Sequence, residues 1–121
     1  MAHILAVDDA KVIRLMVSTV LEKAGHTVAL AENGREALNF ARDNLVDLII
    51  TDLNMPVMNG MVLAAALRNL ENHCFTPILI MTTEDSNYKK SKAKSSGASG
   101  WIQKPVDEDR LLKAVDKTLN R

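Results

Sequence analysis

Short apolar runs alternate with longer stretches of helical spacing along this chain. Ile4 to Val7, Val28 to Ala31, Leu48 to Thr51, Ile78 to Met81 and Trp101 to Gln103 are mostly apolar on consecutive positions and bounded by Asp, Asn, Gly, Pro or Lys. Such runs predict strands buried on both faces, as in a parallel sheet covered by helices. Ile13, Val17, Val20, Leu21 and Ala24 then recur on one helical stripe that stops at Gly25, a residue suited to the left-handed position after a helix. Ala37, Leu38, Ala41 and Leu45 mark a second helix, and Leu63, Leu67 and Leu70 a third. Leu111, Leu112, Val115 and Leu119 mark the last, which opens on Asp107, Glu108 and Asp109 and continues to Lys113, Lys117 and Arg121, the charge order a helix dipole favours. The stretch from Asp85 to Gly97 is expected to hold one further helix, the least stable, because Tyr88 and Ala93 are its only sizeable or apolar members among serines and Lys89, Lys90, Lys92 and Lys94.

Five strand-helix units in 121 residues leave about 24 residues for each, which matches the short connections of an α/β domain. There is no room for a second domain, so one domain over residues 1–121 is expected. Right-handed crossovers make the strands parallel and gather the loops that follow them at one edge of the sheet, where such sheets bind ligands.

Charge refines the picture. The 15 basic and 15 acidic side chains cancel, so no net basic field draws the chain to nucleic acid or to an anionic membrane. The balance hides a division: residues 1–60 carry 5 basic and 8 acidic side chains, and residues 61–121 carry 10 and 7. Cys74 is the single cysteine, so no intramolecular disulfide is expected and the cytoplasm is the expected compartment. The longest apolar run, Met61 to Leu67, is far below the roughly 20 residues of a membrane span.

The predicted strand ends carry the chemistry. Asp8 and Asp9 follow the first strand, Asp52 the third, Thr82 the fourth and Lys104 the fifth. Three carboxylates brought together repel and raise one another's pKa unless a cation sits among them. Hard oxygen donors point to Mg²⁺, which needs only two or three protein ligands and completes its shell with water. Three carboxylates, one Mg²⁺ and Lys104 sum to zero charge, a site able to accept a dianionic phosphoryl group. On this reading Asp52 is the nucleophile, and Lys104 and the Thr82 hydroxyl stabilise the phosphoryl oxygens.

Val7-Asp8-Asp9, Asp52-Leu53-Asn54-Met55-Pro56-Val57-Met58-Asn59-Gly60, Thr82-Thr83-Glu84, Gly97-Ala98-Ser99-Gly100-Trp101 and Lys104-Pro105 together resemble the response-regulator receiver domain, most of all its chemotaxis members. The resemblance runs along essentially the whole chain in order and spacing. It implies a flavodoxin-like (βα)5 fold, a three-layer sandwich whose parallel five-stranded sheet has the order 2-1-3-4-5. It also implies that Asp52 is the phosphate acceptor, that Asp9, Asp52 and the Asn54 backbone carbonyl contact Mg²⁺ directly, and that Asp8 acts through water. Lys104 and Thr82 would bind the phosphoryl group, the Lys104-Pro105 bond would be cis, and Trp101 stands at the family's switching aromatic position. Asn54 and Glu84 would tune hydrolysis by shaping the path of water. Val106 stands where the family commonly has Phe, and Asn59 where it frequently has Asp.

The function so implied is a stand-alone two-component response regulator. A histidine kinase of the CheA-like type would phosphorylate it on Asp52, it would lose the phosphoryl group by its own hydrolysis or with a phosphatase, and as a monomer it would signal by binding a target such as the flagellar switch. It is not an enzyme with a separate substrate. A phosphate sink or relay would use the same site. A Mg²⁺-dependent aspartyl-phosphate phosphohydrolase of the haloacid-dehalogenase type would need a second acid two residues after the nucleophile, where Asn54 stands. Asp8 and Asp9 have a plainer reading as helix caps, and Trp101, Met55, Met58 and Met61 as packing residues. His3, His26, His73 and Cys74 receive no role.

Overall fold

The computed structural model describes residues 1–83 and 97–120. The elements are β1 (His3–Val7), α1 (Lys11–Lys23), β2 (Thr27–Ala31), α2 (Gly34–Asp43), β3 (Leu48–Asp52), α3 (Gly60–Arg68), a 3-10 turn (Glu71–His73), β4 (Ile78–Thr82), β5 (Gly100–Gln103) and α4 (Glu108–Leu119). The five strands form one parallel sheet in the order β2-β1-β3-β4-β5. The helix expected between Asp85 and Gly97, with its four lysines, lies outside the described residues, as does Glu84.

Consecutive apolar positions serve two cores. Leu5, Val7, Ile49, Ile78 and Ile80 join Ala37 and Ala41 of α2 and Leu63, Ala64 and Leu67 of α3. Their neighbours Ile4, Ala6, Leu48, Ile50, Leu79 and Met81 join Val17, Val20 and Leu21 of α1 and Leu111 and Val115 of α4. Because strand side chains alternate between faces, each of the central strands β1, β3 and β4 must be apolar at both parities.

The helix ends have local causes. Asn33 caps α2 by accepting from the Glu36 N–H at 2.9 Å, Asn59 caps α3 from Val62 at 2.9 Å, and Asp107 caps α4 from Arg110 at 2.8 Å, each satisfying a donor that has no partner within its helix. Gly25 follows α1 with φ +99°, as its position after the apolar stripe predicts. Three expected members of the helical stripes fall elsewhere. Asn44 leaves α2 with an extended backbone and turns its Nδ2 onto the Phe40 carbonyl, so Leu45 stands outside the helix and 73 % exposed. Ala24 is the exposed C-cap of α1. Leu70 follows the end of α3 at Arg68 but still packs on the first core.

At the edge where the strands begin, side chains fasten the layers. Arg68 donates to the carbonyls of Gly97 (3.0 Å), His73 (3.0 Å) and Thr76 (2.6 Å), linking the end of α3 to the approaches of β4 and β5. The wholly buried His73 bridges Thr76 Oγ1 on one ring nitrogen and the Ala41 and Asn44 carbonyls on the other.

Candidate functional site: an acid pocket with a paired lysine

The opposite edge, where the strands end, assembles the residues expected to carry chemistry. Ligand oxygens of Asp8, Asp9 and Asp52 lie within 4.8 Å of one another. Asp52 is the last residue of β3 and Thr82 the last of β4, each strand running one residue beyond its expected end. Lys104 comes directly after β5, its N–H bonded to the Thr82 carbonyl at 2.7 Å. That bond brings the lysine across the pocket, and its Nζ lies 2.9 Å from Asp52 Oδ1 and 3.4 Å from Asp8 Oδ2. The Lys104–Pro105 peptide is cis.

The two buried acids differ in how they are held. Asp8 accepts the Ala10 N–H on Oδ1 at 2.9 Å, and its own carbonyl accepts from Arg14 at 2.7 Å. This Asp8 bond turns the β1–α1 corner, but α1 has no side-chain cap at Ala10, so the plain capping reading of the acid pair does not describe it. Asp9 is exposed. The Asp52 carboxyl is held above its ordinary pKa, first by burial, against the Lys104 hydrogen bond that lowers it and with Asp8 and Asp9 repulsion adding to the rise. Mutual repulsion, expected as the main cause, is secondary to desolvation here. For Lys104, burial presses the pKa down, but the Asp52 and Asp8 carboxylates outweigh it and the ammonium is held above its ordinary value.

The loop after Asp52 is tightly bent. Met58 N–H donates to the Pro56 carbonyl at 2.8 Å and Val57 between them has φ +73°, a strained γ-turn for a β-branched residue. Asn54 is exposed on this loop and Met55 is buried in the first core. Trp101 is half-buried, packed against the first core, with its indole Nε1 buried and lacking a hydrogen-bond partner among the described residues. Sequence reasoning missed Arg14, whose only signal is its place on the first turns of α1, within reach of the β1–α1 corner. It also assigned nothing to His73 and Arg68, which are structural.

Hard oxygen donors at this spacing suit a small divalent cation, and Lys104 already demonstrates that the pocket accepts positive charge. No described helix is long and apolar enough to cross a membrane.

Comparison with known proteins gives the same picture. The structure superposes on the chemotaxis protein CheY4 of Vibrio cholerae with a TM-score of 0.95 and 48 % identity, covering 98 % of this chain and 99 % of that one. Protein PilH of Pseudomonas aeruginosa is 37 % identical over 98 % of both chains, and the chemotaxis protein CheY of Bacillus subtilis is 35 % identical over 99 % of this chain and 100 % of its own. The family model described as the response regulator receiver domain matches residues 4–116. This chain belongs to the response regulator receiver domain family, the signalling modules of two-component systems.

Proposed function

We propose that this protein is a stand-alone response regulator that accepts a phosphoryl group on Asp52 from a histidine kinase and signals by phosphorylation-dependent binding of a partner. The observation that carries the reading is the Lys104 ammonium lying between Asp52 at 2.9 Å and Asp8 at 3.4 Å. A buried carboxylate pair held by one movable cation offers both an ionised nucleophile and a positive charge for the incoming oxygens.

An Asp52 carboxylate oxygen attacks phosphorus in line. The O–P bond forms as the P–N bond to the donor imidazole breaks, and the imidazole leaves with the electron pair and takes up a proton. Lys104 then transfers its hydrogen bond from the carboxylate to a phosphoryl oxygen, and the Thr82 hydroxyl donates to another. The carboxylates of Asp9 and Asp52 and the Asn54 carbonyl would hold Mg²⁺ directly and Asp8 through water, and the ion would supply charge neutralisation at the phosphoryl oxygens. Asn54 and Glu84 tune hydrolysis of the phosphoryl group, and Trp101 with the cis Pro105 carries the switching surface.

The setting we assign is the cytoplasm, the protein a monomer, and the pathway chemotaxis, with a CheA-like kinase upstream, the flagellar switch downstream and a phosphatase resetting the signal. The 48 % identity to a protein named for chemotaxis supports this. The likeness to PilH, over nearly all of both chains, favours keeping a second reading, a phosphate sink or relay with no motor partner. Adding Mg²⁺ and fluoroberyllate should change Trp101 emission in the wild type and not in Asp52→Ala. An unaltered response in that variant overturns the acceptor assignment. Affinity capture with fluoroberyllate-loaded against untreated protein separates the two settings, since a sink retains no switch component.

A further inference from the structure

Two residues outside the acid pocket converge on the backbone of the acceptor. Strand alternation turns the Thr51 side chain to the face of β3 opposite Asp52, where it is wholly buried, and its Oγ1 donates to the Asp52 carbonyl oxygen at 3.0 Å. The first residue of α3 leans on the same carbonyl. A Cβ placed on Gly60 would lie 2.5 Å from the Asp52 oxygen, 3.2 Å from its carbonyl carbon and 3.0 Å from Leu53 Cα. The Gly60 N–H also donates to the Leu53 carbonyl at 2.8 Å. Gly60 has ordinary helical backbone, open to any residue, so glycine answers here to space. The atoms it would strike are main chain and cannot rotate aside.

We infer that Thr51 and Gly60 are positioning residues for phosphoryl acceptance: the Thr51 hydroxyl anchors the Asp52 carbonyl and the missing Gly60 side chain leaves room for it, together fixing the peptide plane from which the carboxylate reaches Lys104. The inference rests on Asp52 being the acceptor. The Cα–Cβ bond of Asp52 springs from that peptide, so rotating the plane swings the carboxylate relative to Lys104 Nζ, now 2.9 Å away. In-line transfer tolerates little such movement, and a displacement of about 1 Å costs on the order of 100-fold in rate.

The test measures phosphorylation by acetyl phosphate at saturating Mg²⁺, together with the melting temperature, for Gly60→Ala, Thr51→Val and Thr51→Ser. Relieving the 2.5 Å contact moves the Asp52 carbonyl by half an ångström or more, so Gly60→Ala should slow the reaction about 10- to 100-fold per folded molecule. Thr51→Val, which keeps the shape and removes the hydroxyl, should slow it about 3- to 10-fold, the worth of one hydrogen bond, and Thr51→Ser should restore it. A purely structural role would lower the melting temperature and leave the rate per folded molecule unchanged, and folded variants within about twofold of wild type would overturn the inference. If Gly60→Ala does not fold, the Val and Ser pair at position 51 decides alone. Asp52→Asn in the same assay keeps the two readings apart. Persistent aspartyl labelling of that variant overturns the acceptor assignment, whereas its loss beside unchanged Thr51→Val and Gly60→Ala rates overturns only the positioning role.

Discussion

Replacing Asp52 by Asn should make the metal-free protein more stable, although it removes one half of the shortest ion pair described. At an effective dielectric of about 20, a charge pair 2.9 Å apart attracts by about 6 kcal/mol, and two carboxylates whose oxygens lie within 4.8 Å repel by at least about 3.5 kcal/mol. Asp9 adds a further repulsion that solvent screens. Repulsion therefore offsets more than half of the attraction on Asp52, and the cost of burying its charge outweighs the remainder, which is why its pKa stands above the ordinary value. Asparagine keeps an acceptor for Lys104 Nζ, so no donor is orphaned. The gain should be on the order of 1–2 kcal/mol, and about 3–8 °C in melting temperature for a domain of this size. The assay is calorimetric or circular-dichroism melting in EDTA across pH. Because the folded pKa is raised, the native state binds the extra proton, and wild-type stability falls as pH rises from the unfolded carboxylate value near 3.8 through the folded value. The advantage of Asp52→Asn should be complete above that window and vanish below it. A lower melting temperature for the variant at pH 7, or an advantage that persists below the window, would refute the reasoning.

Other outcomes follow from the same geometry. Mg²⁺ at about 100 times its dissociation constant should stabilise the wild type by about 2.7 kcal/mol and Asp52→Asn by much less, read as the shift in melting temperature on titration; equal shifts would remove Asp52 from the ligand set. Arg68→Met should cost about 2–4 kcal/mol in urea unfolding, since the carbonyls of Gly97, His73 and Thr76 lose a charged donor, and a loss under about 0.5 kcal/mol would contradict the bonds described. Gly25→Ala should cost about 1 kcal/mol, because φ +99° penalises any Cβ, whereas its contact with the flexible end of Met1 adds little; melting curves decide, and an unchanged midpoint would refute the assignment of strain.

Much of this was legible in the sequence, and the residues show why. Ile49 and Ile50 read as doubly buried because each faces a different helix pair, a demand a parallel sheet writes directly into consecutive positions. Asp8, Asp52 and Lys104 could be placed together because strand ends of such a sheet share one edge. Leu45 was misplaced because its spacing fits the α2 stripe, while the exit of the chain is decided one residue earlier, by the bond from Asn44 to the Phe40 carbonyl. The Thr51 and Gly60 contacts with Asp52 carry no periodic signal. They arise only once the loop from Asp52 to Gly60 has closed, and Gly60 could be noted in the motif without its reason.

The Arg68 and His73 fastenings have a consequence for where this domain opens. The edge at which strands begin is tied by neutral carbonyls to one guanidinium and one imidazole, a set of bonds indifferent to cation or phosphoryl state. The reactive edge depends instead on like charges whose balance shifts with every ligand change. Denaturant and heat should therefore find their first foothold at the acid pocket, while the end of α3 and the 3-10 turn hold until global unfolding. Hydrogen exchange would then show protection at the reactive edge rising and falling with occupancy, and a constant level at the fastened edge.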